Sequence, residues 1–199
     1  AGVAYKLARA LLDGSMDPGM QELLLGLAAL GTVCDMVPLK GDNRVLARQG
    51  LAALRRNPPA GLAALASAGR VAPADLTERE LAFVVGPRIN SCGRLARAKM
   101  AVELLMEDDP GRAAAMAGEI DSLNSRRRRI GSDIWREVQD RREEASGHRS
   151  LVMGSPDWHR GVVGIACSRA ARQWGLPAVL VAFDGQMGSG SARSVPGVS

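Results

Sequence analysis

From Gly111 to about Ser146 the chain has no proline and only two interior glycines, and its Ala, Met, Ile, Leu and Trp residues fall on one side of a charge-rich helical pattern. Nothing there can break an α-helix, so one long helix is predicted. Long, mostly solvated helices often join domains, and the sequence changes character across this one. Before it, apolar residues recur at helical spacing. After His148 the pattern becomes strand-like, giving a strand at Ser150 to Met153, a helix at Gly164 to Trp174 and a strand at Ala178 to Phe183, with Gly175-Leu176-Pro177 turning between the last two. The expected organisation is an α/β protein in three parts: a helix-rich region 1–110, a connecting helix 111–147 and the opening of a smaller α/β domain 148–199.

The helix-rich region divides at its turn residues. Helices are predicted from Ala4 to Leu12 and from Met20 to Leu30, separated by Asp13-Gly14-Ser15 and Asp17-Pro18-Gly19. Asp42 is expected to cap a third that runs to Arg55 and closes at Asn57-Pro58-Pro59, and Gly61 to Ala68 forms a short fourth. Thr77 with Glu80 three residues later is a capping box for a fifth, expected to stop at Gly86-Pro87. An irregular stretch Arg88 to Arg94 precedes a sixth helix, Ala98 to Met106, stopped at Asp108-Asp109-Pro110. With aromatic residues at only 3%, the core must be built from Ala, Leu and Val, which favours packed helices over a β-sandwich.

The net charge of +5 comes almost entirely from arginine, and the isoelectric point is about 9.7. Arginine's planar fork suits phosphate, so a polyanion is one partner this charge allows, although ordinary soluble proteins also carry it. Cys34, Cys92 and Cys167 are odd in number and far apart, which indicates neither a disulfide framework nor a zinc site and fits a reducing cytoplasm. No apolar run reaches the roughly 18 residues of a bilayer span, and no secretory signal is present. The chain begins within a helical pattern and without an initiator Met, so it is expected to be a piece of a longer protein.

Five groups of residues could carry chemistry. Asp35 is the only carboxylate in the uncharged run Leu30 to Leu39, where it is either a helix-end aspartate or a metal ligand. Arg88, Asn90 and Arg94, in a loop entered through Pro87 and loosened by Gly93, could converge on one anion or be ordinary surface residues. His159 precedes Gly161 and a helix rich in small residues; it could donate to a phosphate oxygen, shuttle a proton or be structural. Arg169 would project from that helix, by default as a solvated cation, and Arg126 to Arg129 cannot all face one groove because helical neighbours diverge by about 100°. The sharpest signal is Gly188-Ser189-Gly190-Ser191-Ala192-Arg193-Ser194, a glycine and serine loop ending in arginine that offers N–H groups, hydroxyls and a fixed cation to a phosphate.

Taken in order, Ala29-Leu30-Gly31-Thr32-Val33-Cys34-Asp35-Met36-Val37-Pro38-Leu39, Gly86-Pro87-Arg88-Ile89-Asn90 with Gly93-Arg94-Leu95, Trp158-His159-Arg160-Gly161-Val162-Val163-Gly164-Ile165 and Gly190-Ser191-Ala192-Arg193-Ser194 resemble the DHH phosphoesterases, in their branch of bacterial single-stranded-DNA exonucleases. The resemblance covers essentially the whole chain. It implies the C-terminal part of a DHH catalytic domain at 1–110, the family's connecting helix at 111–147, and the start of a DHH-associated domain at 148–199. It further implies hydrolysis of phosphodiesters from a 5′ end with two Mn²⁺ or Mg²⁺ ions, in DNA repair and recombination. By the same resemblance Asp35 is a metal-binding aspartate, while Arg88, Asn90 and Arg94 face the active-site cleft. His159 is the catalytic histidine of the second domain, Arg169 contacts DNA, and Ser191 and Arg193, with Ser189 beside them, bind a terminal 5′-phosphate. The family's Asp-x-Asp and Asp-His-His motifs are not in this sequence and are expected before Ala1. Partners implied for the intact enzyme are 5′-phosphorylated single-stranded DNA and a repair helicase or single-strand-binding protein, with no membrane. The rivals are a DHH phosphodiesterase of short oligonucleotides or cyclic dinucleotides, against which the Gly-Ser-x-Arg-Ser loop argues, and a non-catalytic DNA-binding scaffold of the same fold.

Overall fold

The computed structural model describes residues 1–12, 15–145 and 147–198. The predicted break at Asp13-Gly14 and the far end of the long helix at Ser146 therefore lie outside the described residues. The chain forms two compact units, Ala1–Asn124 and Ser125–Ser199.

The first unit holds α1 (Gly2–Leu11), α2 (Pro18–Cys34), α3 (Asp42–Arg56), α4 (Ala60–Ala68), α5 (Glu78–Glu80), α6 (Gly86–Leu95) and α7 (Lys99–Leu105), followed by the first half of α8 (Pro110–Asp140). Local chemistry sets the starts of these helices. The Asp17 carboxylate accepts the Met20 N–H at 2.9 Å, ahead of Pro18 at the first helical position. Thr77 and Glu80 form the expected capping box at α5. Asp42, predicted as a cap, is instead the first residue of α3. Gly41, at φ 51°, takes the cap position, and the Asp42 carboxylate pairs with Lys6 of α1.

The core of this unit is aliphatic, with Leu54, Leu62, Leu65, Leu76, Leu81, Val85, Leu104 and Ile120 fully buried. Lacking bulky rings, the helices fill space by approaching closely. A Cβ on Gly50 of α3 would lie 2.3 Å from the Leu25 carbonyl oxygen and 2.6 Å from the Ala29 Cβ of α2.

The helix that begins at Glu78 does not end at Gly86-Pro87. It widens into a π turn, Leu81–Val85, and continues as α6 to Leu95. Proline lacks an N–H, and in a regular α-helix its ring collides with the carbonyl four residues back; one extra residue in the preceding turn relieves that conflict. The Leu81 carbonyl at this turn accepts the Gly86 N–H and the Cys34 thiol, the latter at 3.3 Å.

α8 runs for 31 residues without a break and ends at Asp140, short of the predicted limit. Its start is fixed by a fork. Glu107 accepts Arg112 Nε at 2.9 Å and Nη2 at 2.8 Å while also accepting the Asp109 N–H, and Asp109 accepts the Arg112 N–H at 2.7 Å.

In the second unit, β1 (Leu151–Ser155), α9 (Val163–Trp174) and β2 (Ala178–Asp184) form a parallel β-α-β unit, with Gly175 in the left-handed conformation ending α9. β3 (Met187–Arg193) then pairs antiparallel to β2, in sheet order β1-β2-β3. The predicted glycine and serine loop is thus a strand. A two-residue turn with Gly185 at φ 57° reverses the chain. Gly188 and Gly190 stay bare because Cβ atoms there would lie 2.9 Å and 3.0 Å from the Val181 methyls.

Two results are expected for stability. Gly50→Ala should destabilise the protein by about 1–3 kcal/mol through overpacking, whereas Gly118→Ala on α8, where a Cβ meets nothing within 4 Å, should stabilise it by about 0.5–1 kcal/mol; denaturant unfolding gives the sign of each. The Arg112 fork holds the Glu107 carboxyl down to about 2. Its contribution is therefore complete above the ordinary carboxylate range and lost as pH falls through about 2. An NMR titration should place the Glu107 midpoint near that value, and a midpoint near 4.3 would show that the fork is absent in solution.

Candidate functional site

Strand geometry assembles the main site. Side chains two residues apart share a face, so Ser189, Ser191 and Arg193 all lie on one side of β3, opposite Ala182, Leu180 and Ala178 of β2. α9 covers that side. Its second residue, Gly164, is so close that a Cβ there would sit 3.2 Å from Ser191 Oγ and 3.8 Å from Arg193 Nη2. From below, the buried Cys167 thiol donates to the carbonyls of Ser191 at 3.0 Å and Ala178 at 3.3 Å, and burial raises its pKa. Arg193 Nε donates to Ser168 Oγ at 2.8 Å and Nη1 to the Ala192 carbonyl at 2.7 Å. A helix N-terminus, a hydroxyl and an exposed guanidinium therefore meet at one place, an arrangement able to hold a phosphate.

Beside it, Pro156, Trp158, His159, Arg160, Phe183 and Ser189 line a cleft of about 580 Å³. His159 Nδ1 accepts the Gly161 N–H at 3.0 Å, so the neutral ring carries its proton on Nε2, and the His159 carbonyl accepts the N–H groups of Val162 and Val163. The turn is anchored through its neighbour. The indole N–H of buried Trp158 donates to Glu137 at 2.6 Å, and Arg141 bridges Glu137 and the Gly154 carbonyl, each at 3.1 Å.

Arg169 is exposed, and it lies against an aromatic ring. Its guanidinium carbon lies 4.2 Å from the centroid of the Trp135 ring, which stacks on Trp174 at 5.3 Å, with the Arg142 guanidinium carbon 5.3 Å from the Trp174 centroid. The sequence reading missed this stack, since its members come from α8, α9 and the turn after α8; the aromatic residues of a ring-poor chain were the only signal.

In the first unit, exposed Asp35 ends α2, and with Asn90 it stands at a cleft of about 370 Å³ lined by Leu30, Cys34, Ile89 and Leu105. The predicted convergence of Arg88, Asn90 and Arg94 does not occur, because the segment is helical. Asn90 and Arg94, one turn apart, share a face; Arg88 points the other way, into the unit. Its side chain, only 11% exposed, pairs with Asp121 at 2.8 Å and donates to the carbonyls of Val84 at 2.7 Å and Ala68 at 3.3 Å. In the arginine run of α8, Arg126, Arg128 and Arg129 are exposed while Arg127 is half-buried. Among the described residues no group of three or more His, Cys, Asp or Glu side chains could hold a metal ion, and no helix is long and apolar enough to cross a membrane.

No family model matches the chain. Among curated proteins it is 38% identical to the single-stranded-DNA-specific exonuclease RecJ of Bacillus subtilis, over 98% of this chain and 25% of that protein. It is 37% identical to RecJ of Escherichia coli (91% and 32%) and 36% identical to RecJ of Thermus thermophilus (100% and 28%). The chain spans about a quarter to a third of the length of the curated relatives it matches. Among solved structures, Thermus thermophilus RecJ in complex with Mg²⁺ superposes with a TM-score of 0.86 at 35% identity, covering 100% of this chain and 30% of that one. An exonuclease RecJ bound to manganese gives 0.84 at 34% identity, covering 100% and 49%.

Cys34 provides a check on the first unit. Burial pushes its thiol up to about 11, so alkylation at pH 8 should be about two orders of magnitude slower in the folded protein than for a free thiol near 8.5. Stopped-time mass spectrometry reads this directly, and rapid labelling of Cys34 without unfolding would contradict the placement.

Proposed function

Because the chain belongs to the RecJ family, we propose that it supplies the phosphate-anchoring side and one metal ligand of an exonuclease that removes nucleotides from the 5′ end of single-stranded DNA. On this reading residues 1–110 are the C-terminal part of the DHH catalytic domain, 111–147 the connecting helix and 148–199 the opening of the DHH-associated domain. The three free thiols suit a reducing cytoplasm.

The observation that carries the reading is the meeting of Ser191 Oγ and Arg193 with the first turn of α9 at Gly164. Arg193 supplies charge-assisted hydrogen bonds to a terminal phosphate, Ser191 adds a hydroxyl donor, and the helix N-terminus favours the anion. A site that grips the phosphate and not a base selects an end without selecting a sequence. Holding that end fixes which phosphodiester is presented for hydrolysis. His159, with Nδ1 occupied by Gly161, offers Nε2–H to a phosphate oxygen in the neighbouring cleft, and Arg169, held over the Trp135 ring, offers a cation to the backbone. Asn90 lines the cleft with Asp35, Arg94 follows one turn on along the same helix face, and both serve as further contacts; Arg88 supports them from inside the unit.

Mg²⁺ or Mn²⁺, the ions of the solved RecJ structures, would when bound polarise the scissile phosphoryl group and lower the pKa of water. Asp35, a lone exposed carboxylate, fits one ligand position. The described residues do not complete a metal site, and the remaining ligands belong, on this reading, to parts of the family that the chain does not span.

The test is polarity of the substrate end in the full-length enzyme. Arg193→Ala should lose about 1.5–3 kcal/mol in kcat/KM, the scale of a charged hydrogen bond, on 5′-phosphorylated strands specifically. Lysine should rescue poorly, since it lacks the fork. The ratio of kcat/KM for 5′-phosphorylated over 5′-hydroxyl strands is measured at one salt concentration. An equal fall on both strands would assign Arg193 to general backbone binding and remove the end-recognition site from β3.

A further inference from the structure

We propose that Ser168 is the positioning residue that sets the 5′-end preference by fixing the orientation of the Arg193 guanidinium; the inference rests on the reading that Arg193 grips the terminal phosphate. Arg193 is an exposed side chain at the end of an edge strand, with several rotatable bonds and no ion pair among the described residues. Left alone it would sample many rotamers, and a planar fork that must align two N–H groups on one phosphate loses affinity with each of them. Its orientation comes from two bonds. Nη1 donates to the carbonyl of Ala192, its own neighbour, which moves with the strand. Nε donates to Ser168 Oγ at 2.8 Å, among the described residues its one side-chain bond to another element.

Ser168 is fitted to accept that bond in a single geometry. Its hydroxyl hydrogen is committed to the Gly164 carbonyl at 2.9 Å, one turn back along α9, so its lone pairs face outward towards β3. The residue that orients Arg193 is thus tied to the residue against which Arg193 Nη2 rests, 3.8 Å from the position a Gly164 Cβ would occupy. With Nε and one Nη1 hydrogen used, one hydrogen on Nη1 and both on Nη2 are left for a ligand, and Nη2 lies at the first turn of α9 near Ser191 Oγ. Gly164 and Ser168 therefore act as one device: the glycine leaves the space, and the serine aims the cation into it.

The measurement is the kcat/KM ratio for 5′-phosphorylated over 5′-hydroxyl single strands, in the full-length enzyme, for wild type, Ser168→Ala, Ser168→Thr and Arg193→Ala. Ser168→Ala should lower the ratio by about five- to tenfold, less than Arg193→Ala, since the charge stays while its aim is lost. The fall should be confined to the phosphorylated strand and appear mainly in KM. Ser168→Thr, which keeps the oxygen, should restore the ratio, and thermal melting should show all variants folded. A reduced ratio in Arg193→Ala with an unchanged one in Ser168→Ala would overturn the positioning role while leaving the phosphate site standing. An unchanged ratio in Arg193→Ala would overturn the site itself, and the role of Ser168 with it. Equal losses on both strands in Ser168→Ala, or no rescue by threonine, would show that Ser168 merely supports α9.

Discussion

Where Gly50 of α3 faces Leu25, a single added carbon would have to push two helices apart, and where Gly164 of α9 faces Ser191 it would crowd the Ser191 hydroxyl. Close approach at bare glycines marks both units. With so few aromatic side chains to fill gaps, burial of apolar area has to come from many short contacts among Ala, Leu, Val and bare backbone, at the density of a folded interior. In the first unit the consequence is a core of fully buried leucines beneath interlocked helices. In the second it is functional, since the space kept open at Gly164 adjoins the polar groups of β3.

The site itself shows how polar residues are ordered without burial. Ser191 is held through its backbone by Cys167, Arg193 through Ser168, and His159 through Gly161 on one side and the Trp158, Glu137 and Arg141 chain on the other. Each group that can reach a ligand is restrained by a neighbour in the fold. Such restraint lowers the entropy lost when a phosphate is bound.

Several elements were legible because their determinants are local. The Thr77 and Glu80 box, the uninterrupted α8 and the β1-α9-β2 order all follow from spacing and from which residues break a helix. Others were not. Pro87 argues for a helix end on local grounds, and only the π turn, in the helix that packs on α2, allows the helix to continue. Glycine-rich 188–190 argues for a loop until Val181 and Phe183 of the paired strand are seen to occupy the space above it, although Asp184-Gly185 was a hairpin signal in plain view.

The sequence by itself determined the helix-rich and α/β regions, the long helix between them and the residue types of the candidate site, because helix period, capping and turn chemistry act over a few residues. Tertiary structure alone decided which of those residues act together. Arg88 turned inward to Asp121, Arg169 came over Trp135, and Ser191, Arg193, Gly164 and Ser168 came to one point. These are contacts between residues far apart in the chain, and their geometry is set by the packing of whole elements, which no local pattern encodes.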